Sequence, residues 1–121
     1  SLLKLIEKDL LMSAHDISLG GLIVALSKMC IKGNKGIKLN KANNLINEIE
    51  YLFAEDQGRY IIEVNPKSLK EVKKVLNDNS VYHEELGVII DKDMIINTKT
   101  KLTIDELKSY NTNWLTNYMS F

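Results

Sequence analysis

The 121-residue chain has one cysteine, one proline, one tryptophan and one arginine. A single thiol, Cys30, cannot form an internal disulfide or a multi-cysteine zinc site, and it fits a reducing cytoplasm. Net charge is zero, with 16 basic against 16 acidic residues, so the electrostatic footprint of a nucleic-acid binder is missing. No apolar run reaches the ~20 residues that a bilayer-spanning helix needs. The opening "SLLKLIEKDLL" mixes charged and apolar residues at helical spacing, unlike the unbroken apolar stretch of a signal peptide. Neither nucleic acid nor a membrane is therefore expected as a partner. Fifteen of the sixteen basic residues are lysine, and against that bias Arg59 marks a place where a planar guanidinium is wanted. The chain starts at Ser1 inside a helix-forming run, which reads as a piece of a longer protein.

What remains is ordinary for one globular domain, residues 1–121: 45% hydrophobic and 26% charged residues. The spacing of Leu2, Leu3, Ile6 and Leu10 predicts an amphipathic helix over 2–11. "MSAHDIS" reads as a short strand or loop. Ser18 is the expected N-cap of a helix over 19–31, with Leu22, Ala25, Leu26 and Met29 on one face and Ile23, Val24 and Cys30 on another. "KGNKG" ends that helix and "IKLN" is a short strand. Residues 41–53 read as helical and "GRYIIEV" as a strand. Asn65 and Pro66 open the next helix as N-cap and first residue, with a core face of Leu69, Val72, Val75 and Leu76. "ELGVII" and "MIINT" are expected to form a hairpin about Asp91-Lys92-Asp93, followed by a short extension at 101–104. A final helix spans 104–119, anchored by Leu107, Trp114, Leu115 and Tyr118. The pattern predicts an α+β fold with a mixed, mainly antiparallel sheet of about four to six strands.

Candidate chemistry is confined to two segments. His15 and His83 have no partner at metal-ligand spacing, and Cys30 on its apolar helix is expected to be a buried structural thiol. In "AHDISLGG", Asp16 and Ser18 point the same way if the segment is extended. Asp16 is a hard oxygen donor suited to Mg²⁺. Ser18 could cap the helix or bond a phosphate, and Gly20 and Gly21 bare the backbone at a helix N-terminus, where anions bind. The alternative is a capped helix whose glycines permit close packing. In "LFAEDQGRY", Glu55, Asp56, Gln57 and Arg59 crowd between an apolar helix end and an apolar strand. They either pair, as in a Glu55–Arg59 salt bridge, or form the polar rim of a cleft.

Taken together, "AHDISLGGLIVALSKMC" and "LFAEDQGRYIIEV" resemble the C-terminal domain of the phosphoribosylformylglycinamidine synthase family. That family shares a superfamily with aminoimidazole ribonucleotide synthetase, selenophosphate synthetase and thiamine phosphate kinase. "ELGVII" and the closing "LKSYNTNWLTNYM" are similar to the family's last strand and helix. The resemblance implies ATP-dependent conversion of formylglycinamide ribonucleotide to its amidine in purine biosynthesis. It implies Mg²⁺ and ATP or ADP as cofactors. The implied partners are the N-terminal part of the same enzyme and a glutaminase subunit or domain that supplies ammonia. It assigns Asp16 to the metal, Ser18, Gly20 and Gly21 to nucleotide, and His15, Glu55, Gln57 and Arg59 to the lining of a cleft. It assigns no catalytic residue to this chain, which is expected to be inactive alone. Three positions depart from the family pattern. Leu19 stands where an acidic residue is usual, removing a charge beside the metal ligand, and Ala54 and Asp56 replace serines. The alternatives are the equivalent domain of a related selenophosphate synthetase or kinase, against which Arg59 argues, and a free-standing partner-binding module.

Overall fold

A computed structural model describes residues 1–40, 48–55, 58–96 and 100–119, the stretch 112–119 by backbone alone. The elements in chain order are α1 (Leu2–Glu7), β1 (Ser13–Asp16), α2 (Gly21–Gly33), β2 (Gly36–Leu39), α3 (Glu48–Phe53) and β3 (Tyr60–Glu63). They continue with α4 (Leu69–Asp78), β4 (Gly87–Ile90), β5 (Met94–Ile95), β6 (Lys101–Leu102) and α5 (Ile104–Met119). The α+β expectation holds, with the six strands divided between two sheets. β1 and β3 form an antiparallel ribbon, and the other four run in the order β4-β2-β5-β6. No helix among the described residues is long and apolar enough to cross a membrane.

Helix α2 is the centre of the larger core. Leu22, Ile23, Ala25, Leu26 and Cys30 are all buried, with Leu22 only 1% exposed. Ile17 and Ile61 of the ribbon, Ile37, Leu39 and Met94 of the larger sheet, Leu52 of α3 and Ile104 of α5 close around it. The second apolar face read from the sequence is therefore real. Burial also pushes the Cys30 thiol above its ordinary pKa, as expected for a structural cysteine. A smaller core of Leu5, Val72, Val75 and Leu76 lies between α1 and α4, with Ile62 and Val64 from the ribbon side. Successive residues Ile61 and Ile62 thus serve opposite cores, as alternation along a strand requires.

Helix ends explain most of the boundary differences. α1 stops at Glu7, four residues short of the expected end. Asp9 turns left-handed (φ 55°), and Leu10 N–H folds back onto Leu5 O at 3.0 Å. This return carries Leu10 to the small core. α2 ends with Asn34 in a left-handed conformation, as "KGNKG" suggested. Asn65 does cap the next helical segment: its Oδ1 accepts from Lys67 N–H at 3.0 Å. The segment begins as a 3₁₀ turn at Pro66–Ser68 before α4 takes over. Thr103 and Glu106 form a reciprocal capping box at the start of α5, with bonds of 3.0 and 3.1 Å. The stretch 41–47 and the side chains of Trp114, Leu115 and Tyr118 lie outside the described residues.

The expected hairpin between β4 and β5 does not form. β2 lies between them, antiparallel to β4 and parallel to β5. The Asp91–Asp93 connection instead arches over the start of β2, where Ile37 N–H donates to Asp93 O at 3.0 Å. Gly36 makes this crossing possible, because a Cβ there would collide with the Lys92 and Asp93 backbone. Two apolar runs joined by a short polar turn look alike whether they pair directly or straddle a third strand.

This close approach yields a paired prediction. Gly36→Ala should destabilise the chain by about 2 kcal/mol or more, since backbone rather than a movable side chain must yield. Gly33→Ala, with nothing within 4 Å of the new Cβ, should be neutral or stabilising by up to ~1 kcal/mol. Urea unfolding of the two variants beside the parent chain measures both.

Candidate functional site

Strand pairing brings the two polar segments together. Asp16 lies opposite Tyr60 in the β1–β3 register, and Ile17 N–H continues the ladder to Arg59 O at 2.9 Å. Beyond this point the strands part and leave a cleft of about 340 Å³. One side is Asp16, Ile17, Ser18 and Leu19, and the other is Glu55, Gly58, Arg59 and Tyr60.

The turn leading into α2 is built differently from the expectation. Ser18 is not the N-cap; Gly20 is, in a left-handed conformation (φ 86°, ψ −2°). Ser18 contributes its carbonyl, which accepts from Gly21 N–H at 3.1 Å. Gly21 is also left-handed (φ 74°), and a Cβ there would lie 2.6 Å from the Phe53 carbonyl carbon. Two consecutive positive φ values, one of them against backbone, make glycine obligatory at this turn. The N-terminus of α2 already faces an anion, because Gly20 N–H donates to Glu55 Oε1 at 2.8 Å. Glu55 thus ties the end of α3 to the start of α2, in the position that the helix dipole favours for a negative group.

Arg59 braces the same junction. Its Nη2 donates to Ala54 O at 2.9 Å, closing the loop between α3 and β3. The Asp16 side chain is exposed at the cleft mouth. Leu19, 80% exposed, stands on the rim. His15 lies on the opposite face of β1 from Asp16, as strand alternation dictates. Its Nδ1–H donates to Asp16 O, which leaves the ring outside the cleft lining. Gln57 and Asp56 lie outside the described residues. Tyr60 and Gly58, not singled out from the sequence, also line the cleft. The signal for Tyr60 was available: a residue directly across from Asp16 shares its face.

Among the described residues, no group of three or more His, Cys, Asp or Glu side chains is placed to hold a metal. Asp16 would be a single carboxylate donor. Mg²⁺ tolerates that where phosphate and water supply its other ligands. His83, the other histidine, bonds Val81 O at 2.9 Å, away from the cleft.

Similarity to known proteins bears directly on this geometry. Residues 1–98 match the family described as AIR synthase related protein, C-terminal domain. The chain belongs to this family. It is 58% identical over 119 residues to the phosphoribosylformylglycinamidine synthase subunit PurL of Pelagibacter ubique, covering 98% of this chain and 16% of that protein. With the same subunit of Caldanaerobacter subterraneus it shares 41% over 103 residues, covering 85% and 14%. The chain therefore spans about one-sixth of the curated relatives it matches. Among solved structures, T. maritima PurL complexed with FGAR superposes with a TM-score of 0.74 at 18% identity, covering 87% of this chain and 19% of that one. T. maritima PurL complexed with ATP gives 0.73 at 19% identity, with 87% and 20% covered. At such identity these structures establish the family's fold in this chain.

Two outcomes follow from the junction. Gly21→Ala should lower stability by about 2 kcal/mol or more, since the new Cβ meets both a positive φ and the Phe53 backbone. Urea unfolding reads this directly. Tyr51, on α3, donates to Glu84 Oε1 at 3.1 Å, and burial together with that carboxylate pushes its phenol up to about 12. The unfolded phenol ionises first, near pH 10, so this contribution is full below pH 10 and is lost between pH 10 and about 12. Tyr51→Phe should flatten the fall in melting temperature across that window.

Proposed function

We propose that this chain is the C-terminal domain of a phosphoribosylformylglycinamidine synthase subunit and forms one wall of a nucleotide cleft. The observation that carries the reading is the meeting of "AHDISLGG" and "LFAEDQGRY" in a single cleft across the β1–β3 ladder. The relatives that support it bear that subunit's name. Solved neighbours of the same fold hold ATP, ADP and FGAR, and one is the PurLQS assembly of Thermotoga maritima. In the whole subunit, ATP would activate the amide of formylglycinamide ribonucleotide, and ammonia from a glutaminase partner would complete the amidine. A cytoplasmic setting suits this chemistry and the lone reduced thiol.

Within that reaction the chain's own residues bind and orient. Asp16 would hold Mg²⁺ at the cleft mouth, and the metal supplies neutralisation of phosphate charge when bound. Ser18 would offer its hydroxyl to the nucleotide, with Gly20 and Gly21 shaping the turn beneath it. Glu55 already takes the Gly20 N–H, so an incoming phosphate would have to displace this carboxylate or approach beside it. Leu19 on the rim brings no charge to the metal. Both features point to weak nucleotide binding by this chain alone. In this reading the chemistry itself falls to the part of the subunit outside this chain.

An amide NMR titration with MgADP tests this reading. Shifts confined to residues 16–21 and 58–60 at millimolar nucleotide are expected. An unchanged spectrum would make the Gly-Gly turn structural in this chain. Amidine formation by the 121-residue chain on its own would overturn its assignment as a non-catalytic wall.

A further inference from the structure

Two large apolar side chains stand exposed on opposite walls of the cleft. Leu19 is 80% and Tyr60 58% exposed, and both border the space of about 340 Å³ that Asp16 and Glu55 also line. Exposed apolar residues scattered singly are ordinary, but these two face one cavity. The strand face explains why Tyr60 is bare. Tyr60 and Ile62 point to the same side of β3, and the small core covers Ile62 but stops short of Tyr60. Asp16 lies on that side too, as the partner of Tyr60 in the register. Ile17 N–H bonds Arg59 O, so Asp16 and Tyr60 form the non-hydrogen-bonded kind of pair, in which side chains stand closest.

The polar groups of the cleft are poorly suited to a bare phosphate. Glu55 already occupies the α2 N-terminus, accepting Gly20 N–H at 2.8 Å. The lining sets the carboxylates of Asp16 and Glu55 against one guanidinium, and Arg59 directs its Nη2 at Ala54 O. Phosphate oxygens therefore meet like charge unless a cation intervenes at Asp16. What the walls offer is apolar surface, an aromatic ring on one side and a branched aliphatic chain on the other. A flat heteroaromatic ring placed between them would take both out of water and stack on the tyrosine, with no charge to desolvate.

We propose that Leu19 and Tyr60 hold the nucleobase between them and set the specificity of the cleft for a purine nucleotide, recognised by its ring more than by its phosphates. The inference rests on the functional reading above, which gives the cleft a nucleotide and leaves its base without a binding residue. A purine is preferred to a pyrimidine because its fused rings cover more of the tyrosine face. The phosphate end of the ligand is left to Asp16 and to solvent.

Photolabelling of the full-length subunit with 8-azido-ADP and Mg²⁺, mapped by peptide mass spectrometry, tests the proposal, because the reactive group sits on the base. Label is expected on the peptides that carry Leu19 and Tyr60. Adenosine should displace it within about 10-fold of the concentration that ADP requires, UDP should be about 10-fold weaker than ADP, and magnesium pyrophosphate should leave it in place. Tyr60→Ala, read on the Leu19 peptide, should raise the half-saturating concentration about 10-fold, whereas Tyr60→Phe should hold it within about 3-fold. Leu19→Ser, read on the Tyr60 peptide, should raise it about 5-fold. Displacement by magnesium pyrophosphate or by UDP as effective as by ADP would overturn the proposal. Label confined to other parts of the subunit would overturn it and leave the functional reading standing, and a subunit with no label anywhere would overturn both.

Discussion

The cleft depends on the contact between the Gly20-Gly21 turn and the end of α3. Two glycines in left-handed conformations let the α2 N-terminus lie directly on the Phe53 backbone. Glu55 then bonds Gly20 N–H, and Arg59 bonds Ala54 O a few residues away. Each bond closes a loop between segments distant in sequence or fixes the loop that leads to β3. Without this junction, "AHDISLGG" and "LFAEDQGRY" would be linked by the β1–β3 ladder alone. A four-residue two-stranded ribbon is too short to hold a cleft in shape.

The same junction connects the cleft to the core. Leu22, the second residue of α2, is almost fully buried, and Leu52 precedes Phe53 on α3. A shift of the Gly-Gly turn would therefore move packed side chains, and close-packed interiors resist such shifts. The dominant stabilising term is burial around α2, at roughly 25 cal/mol per Å² of apolar surface. The polar residues of the cleft add little to that term and are held in place by it. A rigid helix start of this kind is a common way for a fold to position a phosphate or metal ligand.

Much of this was legible in the sequence because it follows from periodicity and composition. The double apolar face of α2, the buried Cys30, the Asn65 cap and the β-branched run of β3 all needed only local patterns. The resemblance assigned Asp16 and Ser18 to metal and nucleotide and Glu55 and Arg59 to a cleft lining; that all four border one cleft is seen only in the strand register. What the sequence concealed was long-range. No local signal says that β2 separates β4 from β5, since the demand appears only as a glycine at position 36. Ser18 looked like a cap because serine before a helix usually is one. The two glycines displaced the helix start by two residues, so that Ser18 accepts the Gly21 N–H through its carbonyl instead of capping with its side chain. His15 fell outside the cleft lining for the simplest reason, which is that adjacent strand residues face opposite ways.

The central claim is that the Gly-Gly turn and Glu55 act as one unit holding the cleft. A double-mutant cycle with Gly21→Ala and Glu55→Ala, read by urea unfolding, tests it most directly. The account predicts that the second substitution costs less once the first is present, with a coupling of about 1 kcal/mol or more. Effects that add within about 0.5 kcal/mol would show two independent contacts and contradict the account.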